Sequence, residues 1–240
     1  MFLLVHRILF SFLIILLINP LLSGNYRSEL LFPVHETTAS DTIKENQILY
    51  NGRVWRNLYY RVKDNQFLFS TEFIPGNLTI SETSFENINL RYDIFKDEIM
   101  TVSKNGLILQ LNKEKVDSFS LIFFNRKYRF INVAVDSVKG YNGYLNLLYK
   151  GKSELSVKYL KDIEFLAVDK RFDLFSQSHR IYFVTDSVIY PVNRAGDIYK
   201  AVPARKNELK SYVKKNKFLM SRKNPESFIP LIRYYDTINK

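Results

Sequence analysis

The densest group of residues able to do acid–base chemistry is Arg91-Tyr92-Asp93-Ile94-Phe95-Lys96-Asp97-Glu98. Paired carboxylates act as acid and base on a glycosidic bond, or bind a calcium ion through oxygen. The pair to consider is Asp93 with Asp97 or Glu98. Arg91 and Lys96 offset much of that charge, and the D-x-[DN]-x-[DN]-G spacing of a calcium loop is missing. The plainer reading is a strand end followed by a polar turn, with Asp93 accepting a hydrogen bond that fixes the turn. The chain has three histidines. Beyond the N-terminal segment these are His35, in a polar stretch, and His179, in Gln177-Ser178-His179-Arg180 just before an expected strand. Neither accompanies a Gly-x-Ser-x-Gly nucleophile, and both read as surface loop residues. With no cysteine in the chain, disulfides, thiol catalysis and cysteine-held metals are excluded. The eight glycines fall at turns and form no phosphate loop. No catalytic constellation, cofactor or metal is therefore expected. Asn77-Leu78-Thr79 matches a glycosylation sequon, which matters only in a eukaryotic secretory pathway.

Two sets of residues suggest binding instead. Trp55, Tyr60 and Tyr92 belong to an aromatic series in the expected sheet region and are candidate ligand-binding rings, since such rings stack on sugars or line apolar grooves. Lys206, Lys210, Lys214, Lys215 and Lys217 cluster on an expected helix. Residues Pro203 to Lys240 hold ten Lys/Arg against three Asp/Glu, so +7 of the chain's formal +11 lies there. Such a face suits an anionic lipid or glycan surface, or an envelope protein; the plainer reading is a solvated helix face with its lysines favoured by the dipole.

These residues must be held by elements that the apolar pattern predicts. From Gln47 onward the period is two. The alternating sets are Leu58, Tyr60 and Val62; Phe67, Phe69, Thr71 and Phe73; Ile88, Leu90, Tyr92 and Ile94; Phe119, Leu121 and Phe123; Leu155, Val157 and Tyr159; and Val188, Tyr190 and Val192. The third set is the cleanest half-buried strand. Asn51-Gly52, Asn105-Gly106 and Asn142-Gly143 supply turn conformations, and Asn105-Gly106 predicts a hairpin. Lys63-Asp64-Asn65 and Pro75-Gly76-Asn77 are expected to break two further runs. The pattern predicts a mainly β domain over 47–202, a curved antiparallel sheet or incomplete barrel of roughly ten strands. After Pro203 the period changes. Leu209, Tyr212 and Val213 predict one short helix with Asn207 as its cap. Phe228, Leu231, Ile232, Tyr235 and Ile238 predict a second, entered at Asn224-Pro225, with Pro230 confined to its first turn or kinking it. Residues 203–240 form a basic helical segment that must pack on the sheet.

The remaining segments read as an address and a lead-in. Residues 1–24 have the basic start, short apolar run and small terminal residues of a secretory signal peptide. Residues 25–46 are polar and aperiodic. Export without cysteine suits a bacterial periplasm, and secretion makes nucleic acid an improbable partner. No integral membrane span is expected after signal cleavage.

The order Leu49-Tyr50-Asn51-Gly52-Arg53-Val54-Trp55, then Asn87-Ile88-Asn89-Leu90-Arg91-Tyr92-Asp93, then Arg180-Ile181-Tyr182-Phe183-Val184, then Asn207-Glu208-Leu209-Lys210-Ser211-Tyr212-Val213-Lys214-Lys215-Asn216-Lys217 and Leu231-Ile232-Arg233-Tyr234-Tyr235-Asp236 resembles a loose group of uncharacterised exported β-rich proteins of Bacteroidetes-type bacteria. The resemblance implies a periplasmic or outer-surface setting in a Gram-negative bacterium and an antiparallel β fold. It carries over no catalytic residue. The function expected is a non-enzymatic envelope protein with a binding or scaffold role. The alternatives are a periplasmic carrier or sensor of a hydrophobic or amphipathic ligand, and a glycan-active enzyme using Asp93 with Asp97 or Glu98. A transmembrane barrel fits less well, for want of a continuous lipid-facing band.

Overall fold

A computed structural model describes residues 47–134, 138 and 140–239. The expected signal peptide, the lead-in and His35 lie outside the described residues. Eleven strands form one open sheet in the order β1-β5-β4-β3-β2-β6-β7-β8-β9-β10-β11. They are β1 (Gly52–Val54), β2 (Ile74–Ile80), β3 (Thr83–Asp93), β4 (Glu98–Val102), β5 (Ile108–Leu111), β6 (Val116–Phe123), β7 (Arg126–Val133), β8 (Gly143–Lys150), β9 (Glu154–Val168), β10 (Phe172–Thr185) and β11 (Val188–Val192). All pairs are antiparallel. The mainly β, curved antiparallel architecture is as the sequence predicts. No described helix is long and apolar enough to cross a membrane.

One connection requires the curvature. Residues 112–115 link β5 to β6, which lie four strand spacings apart in the order, about 19 Å in a flat sheet. The link is itself a turn, with Lys115 N–H donating to the Asn112 carbonyl at 3.1 Å. So few residues in a turn cannot cover that distance, and the sheet must curl. Asn132 Nδ2 ties the link across the curl, donating to the carbonyls of Lys113 at 2.9 Å and Val116 at 2.8 Å. The turn between β3 and β4 reaches β9, where Lys161 N–H donates to the Ile94 carbonyl at 3.3 Å.

A smaller cluster of Tyr141, Leu145 and Tyr182 lies on one face of the sheet, and most of the core follows the other. Cross-strand partners run Leu78, Phe119, Phe130, Asn146, Val157, Ile181 and Val192 through seven adjacent strands, and all seven are buried. The curl covers one end of this face, where Tyr92, Phe119, Phe130 and Tyr144 pack ring on ring. Helices cover the other end. These are α1 (Ala195–Ala201), α2 (Lys206–Asn216) and α3 (Ile229–Ile238), with 3-10 turns at Pro203–Arg205 and Pro225–Phe228. Leu209, Phe228, Leu231, Ile232 and Tyr235 pack onto Leu155, Val157, Ile181, Phe183 and Val192. Asp236 of α3 fastens the β8–β9 turn, accepting from Ser153 Oγ at 2.6 Å and Tyr149 Oη at 3.0 Å.

Several local expectations are corrected. The alternating runs at 58–62 and 67–73 are not strands. Residues 55–73 are irregular, with left-handed backbone at Asp64 and Phe69. The segment folds across the sheet without pairing along a strand, and its burial does not follow the alternation: Leu58 and Tyr60 are exposed, whereas Gln66, Phe67 and Leu68 are buried in succession. Pro75-Gly76-Asn77 does not end a run; it lies inside β2. Pro75 stands beyond the last pair with β6, Gly76 with Leu121, so its missing N–H costs no bond there. His179 is in the body of β10, not in a loop before it. A third helix, α1, adds to the two expected; at seven residues it is too short for a helical period to register. The second helix starts at Lys206, not after an Asn207 cap, because a 3-10 turn leads into it. Pro230 does sit in the first turn of α3.

Candidate functional site

Register places the acidic cluster on the face of the sheet opposite the core. Arg53, Gln110, Met100 and Arg91 are successive cross-strand partners on β1, β5, β4 and β3. Asp93 pairs with Glu98, two residues further along the same face. The irregular segment folds over this face, hydrogen bonded to β3 by Leu68 N–H to the Tyr92 carbonyl at 2.9 Å and Ile94 N–H to the Gln66 carbonyl at 3.0 Å. Between the segment and the sheet lies a cleft of about 460 Å³, lined by Arg53, Trp55, Tyr59, Gln66, Asp93 and Glu98 among others.

Each polar group of the cleft floor is held in place. Asp93 Oδ1 accepts from the backbone N–H groups of Phe95 and Lys96, both at 2.9 Å, so it fixes the turn as the sequence reading allows. Burial pushes its carboxyl up to about 6, against the lowering effect of those two amides. Burial also raises the Glu98 carboxyl, with Arg53 opposing. Arg53 Nη2 lies 3.5 Å from Glu98 Oε1, and its Nε donates to Gln110 Oε1 at 3.0 Å. Behind Trp55, the Arg91 guanidinium is stacked among the rings of Phe67 at 4.2 Å, Phe73 at 4.5 Å and Trp55 at 4.9 Å. Its Nη1 donates to the Thr71 carbonyl at 2.9 Å.

Asp97 does not join this cleft. It faces a separate buried cluster with Tyr92 Oη at 2.6 Å, Lys113 Nζ at 2.5 Å and Lys158 Nζ at 2.7 Å. Lys158 Nζ is buried, and among the described residues Asp97 is the charged group that compensates it. Burial pushes the Asp97 carboxyl up, but Lys158, Lys113 and the Tyr92 hydroxyl outweigh it and hold it below its ordinary value. Burial lowers Lys158, with Asp97 opposing. The sequence suggests no such cluster, because Lys113 and Lys158 meet Asp97 only through the curl. The pairing of Asp93 with Asp97 as acid and base is thereby corrected: the two carboxylates occupy different environments. Asp93 and Glu98 do share one.

The three candidate rings do not share a site. Trp55 is half-buried and lines the cleft. Tyr60 is 71% exposed on the irregular segment. Tyr92 is buried in the core, its hydroxyl on Asp97. Tyr59, which the sequence did not favour over its neighbour, lines the cleft instead, edge-on to Phe95 at 5.0 Å. His179 is engaged structurally, with Nε2 2.7 Å from the Arg222 carbonyl. Among the described residues no three His, Asp or Glu side chains come together as a metal ion requires.

The five lysines of the basic segment are all exposed. At 3.6 residues per turn, Lys206, Lys210, Lys214 and Lys217 fall within about 80° of arc, whereas Lys215 lies on another side. Lys217 ends α2 with left-handed backbone, φ 52°. Among the described residues none of the four has an ion-pair partner; the pair on this helix is Arg205 with Glu208 at 3.1 Å. Leu219 follows the stripe directly and is 92% exposed. No family model, curated protein or solved structure matches the chain.

Proposed function

We propose that this chain is a non-enzymatic binding or scaffold protein of a Gram-negative cell envelope, exported to the periplasm or outer surface and held on a phosphate-bearing lipid surface by α2. The observation that carries the reading is the stripe of Lys206, Lys210, Lys214 and Lys217, four exposed cations without counter-charges among the described residues. Near an anionic membrane each lysine contributes about 1 kcal/mol, so the stripe supplies roughly 4 kcal/mol. That is a weak, reversible attachment. Exposed Leu219 at the end of the stripe adds apolar contact, which favours lipid over a soluble acidic polysaccharide. The non-enzymatic reading is supported by the cleft carboxylates, since Asp93 holds two turn amides and Glu98 faces Arg53, so each is engaged structurally while keeping lone pairs that can accept further hydrogen bonds. A carrier would need room between sheet and helices, and that interface is packed with buried side chains such as Leu155, Val157, Leu209, Leu231 and Ile232.

The test is sedimentation of the whole chain with phosphatidylglycerol vesicles and with phosphatidylcholine vesicles. We expect binding to the anionic vesicles only, lost in about 0.5 M salt and lost when all four lysines become Gln. Undiminished binding by that variant, or equal binding to neutral vesicles, would overturn the reading. Because the N-terminal apolar segment is the same in both chains, the comparison isolates the stripe.

A further inference from the structure

We propose that the cleft between the 55–66 segment and strands β1, β5, β4 and β3 binds a neutral, hydroxyl-rich ligand, an oligosaccharide, stacked on Trp55 and Tyr59. The floor is rich in acceptors: the carboxylates of Asp93 and Glu98 and the amide oxygens of Gln66 and Gln110. A ligand that satisfies them must donate hydrogen bonds, which hydroxyls and cations both do. Arg53, Arg56 and Lys96 stand around the same cleft and repel a cationic ligand. An anion meets those cations favourably but must then sit against two carboxylates on the floor. A neutral molecule with many hydroxyls meets neither penalty, and the mixed donors and acceptors of the lining match hydroxyl groups, which both give and take hydrogen bonds.

The apolar component points the same way. Sugars present flat C–H faces as well as hydroxyl edges, and aromatic rings beside planar polar groups serve both. The Trp55 ring is braced by Arg91 on one side and by Phe67 at 6.0 Å, so it is held before any ligand arrives. Tyr59 is braced by Phe95 and by Phe175 at 5.8 Å. Arg53, Gln110 and Glu98 are likewise tied to one another, with Arg53 donating to Gln110 at 3.0 Å. Groups held in advance lose little freedom on binding. The volume of about 460 Å³ is that of a small-molecule site, open on the surface as a chain-like ligand requires.

The chain's single tryptophan is Trp55, so intrinsic tryptophan fluorescence reports on this cleft alone. The probes are hexasaccharides of α- and β-linked glucose, β-linked mannose and N-acetylglucosamine, with oligogalacturonate as the anionic control and spermine as the cationic one. The expected result is a saturable change with at least one neutral hexasaccharide and none with either control. Glu98→Ala and Gln110→Ala should each weaken that binding at least about tenfold, checked by calorimetry; Glu98→Gln, which keeps shape and acceptor, should weaken it less. Circular dichroism identifies any variant that fails to fold, and Gln110→Ala, at a half-exposed position, provides the test if Glu98→Ala does. No response to any neutral hexasaccharide at about 10 mM, response to the anionic or cationic control alone, or equal binding by Gln110→Ala would overturn the proposal. The lysine-stripe variant of α2 should keep the Trp55 response, so this site and the lipid attachment stand or fall separately.

Discussion

Two aspartates four positions apart show how local surroundings set what a carboxylate does. Asp97 pairs with partly exposed Lys113 and is the carboxylate facing buried Lys158 among the described residues. Changing it to Asn leaves buried Lys158 uncompensated, a loss of about 3–5 kcal/mol. Removing both charges in Asp97→Asn/Lys158→Met takes away the penalty along with the pair. Urea unfolding should therefore find the double variant more stable than Asp97→Asn alone; an Asp97→Asn cost below about 1 kcal/mol would show that the cluster does not hold the fold. Asp93 has the opposite sign. Its folded carboxyl titrates at about 6 against an ordinary value of 3.8. Between those values the folded chain keeps a proton that the unfolded chain has released. Stability therefore falls as pH rises through this window, by on the order of 2–3 kcal/mol. Asp93→Asn keeps an acceptor for the two turn amides and removes that slope, which denaturation at pH 4, 5, 6 and 7 would measure directly.

At the scale of elements, the β2–β6 pairing depends on a backbone approach that only glycine permits. A Cβ on Gly76 would run into the Ser120 carbonyl of β6. Gly76→Ala should push β2 and β6 apart at the Gly76–Leu121 pair, next to the bulge that β2 makes against β3 between Gly76 and Leu78. We expect a loss of roughly 2–4 kcal/mol, together with faster amide exchange in β2 and β6 and unchanged exchange in β10 and β11. The same glycine explains what the sequence left unread. Next to Pro75 and Asn77 it carries every mark of a turn, and only the neighbouring strand shows why it is needed inside one. Period two located β3, β6, β9 and β11 because apolar residues recur at every second position in sequence, although the structure covers the other face as well in places, burying Arg91, Asp93, Ser120, Ser156 and Lys158. It failed over 55–73 because alternation in sequence there matches neither pairing nor burial: Leu58 and Tyr60 are exposed, while Gln66, Phe67 and Leu68 are buried in succession. The cleft was half legible. Asp93 and Glu98 sit on either side of a tight turn, so their meeting is written into the hairpin, and Trp55 is singled out by type. Gln110 and Gln66 come from β5 and the overlying segment, and nothing local marks them. The Asp97 cluster was not legible at all, since the curl that assembles it is a property of the whole sheet. The lysine stripe could be read directly, as helical spacing fixes it without tertiary contacts.

At the scale of the molecule, one face of one sheet carries the two larger hydrophobic clusters, and two different devices cover it. The curl buries the β2–β8 end, and α1, α2 and α3 bury the β9–β11 end. Cross-strand contact from Phe130 through Asn146 to Val157 joins the two ends without a break. The basic segment 203–240 is therefore half of a core and not an appendage, although composition sets it apart. Its fastening is specific: Asp236 takes hydrogen bonds from Ser153 and Tyr149, and Lys152 Nζ donates to the Asn239 carbonyl at 2.9 Å. A chain ending at Asn193 would expose Leu155, Val157, Ile181 and Phe183 together, a contiguous apolar patch beside the β11 edge. Such an edge pairs readily with other chains. We expect that truncation to be insoluble. A milder change, Asp236→Ala, should keep the fold but lower stability by about 2 kcal/mol, the loss of several bonds to a half-buried charged acceptor. Unfolding should remain a single transition when followed by Trp55 fluorescence, which reports the curled end, and by far-ultraviolet dichroism at 222 nm, which is weighted towards the helices. Separate transitions for the two probes would mean that the continuous row does not couple the two covers, and that the helices fold as a unit of their own.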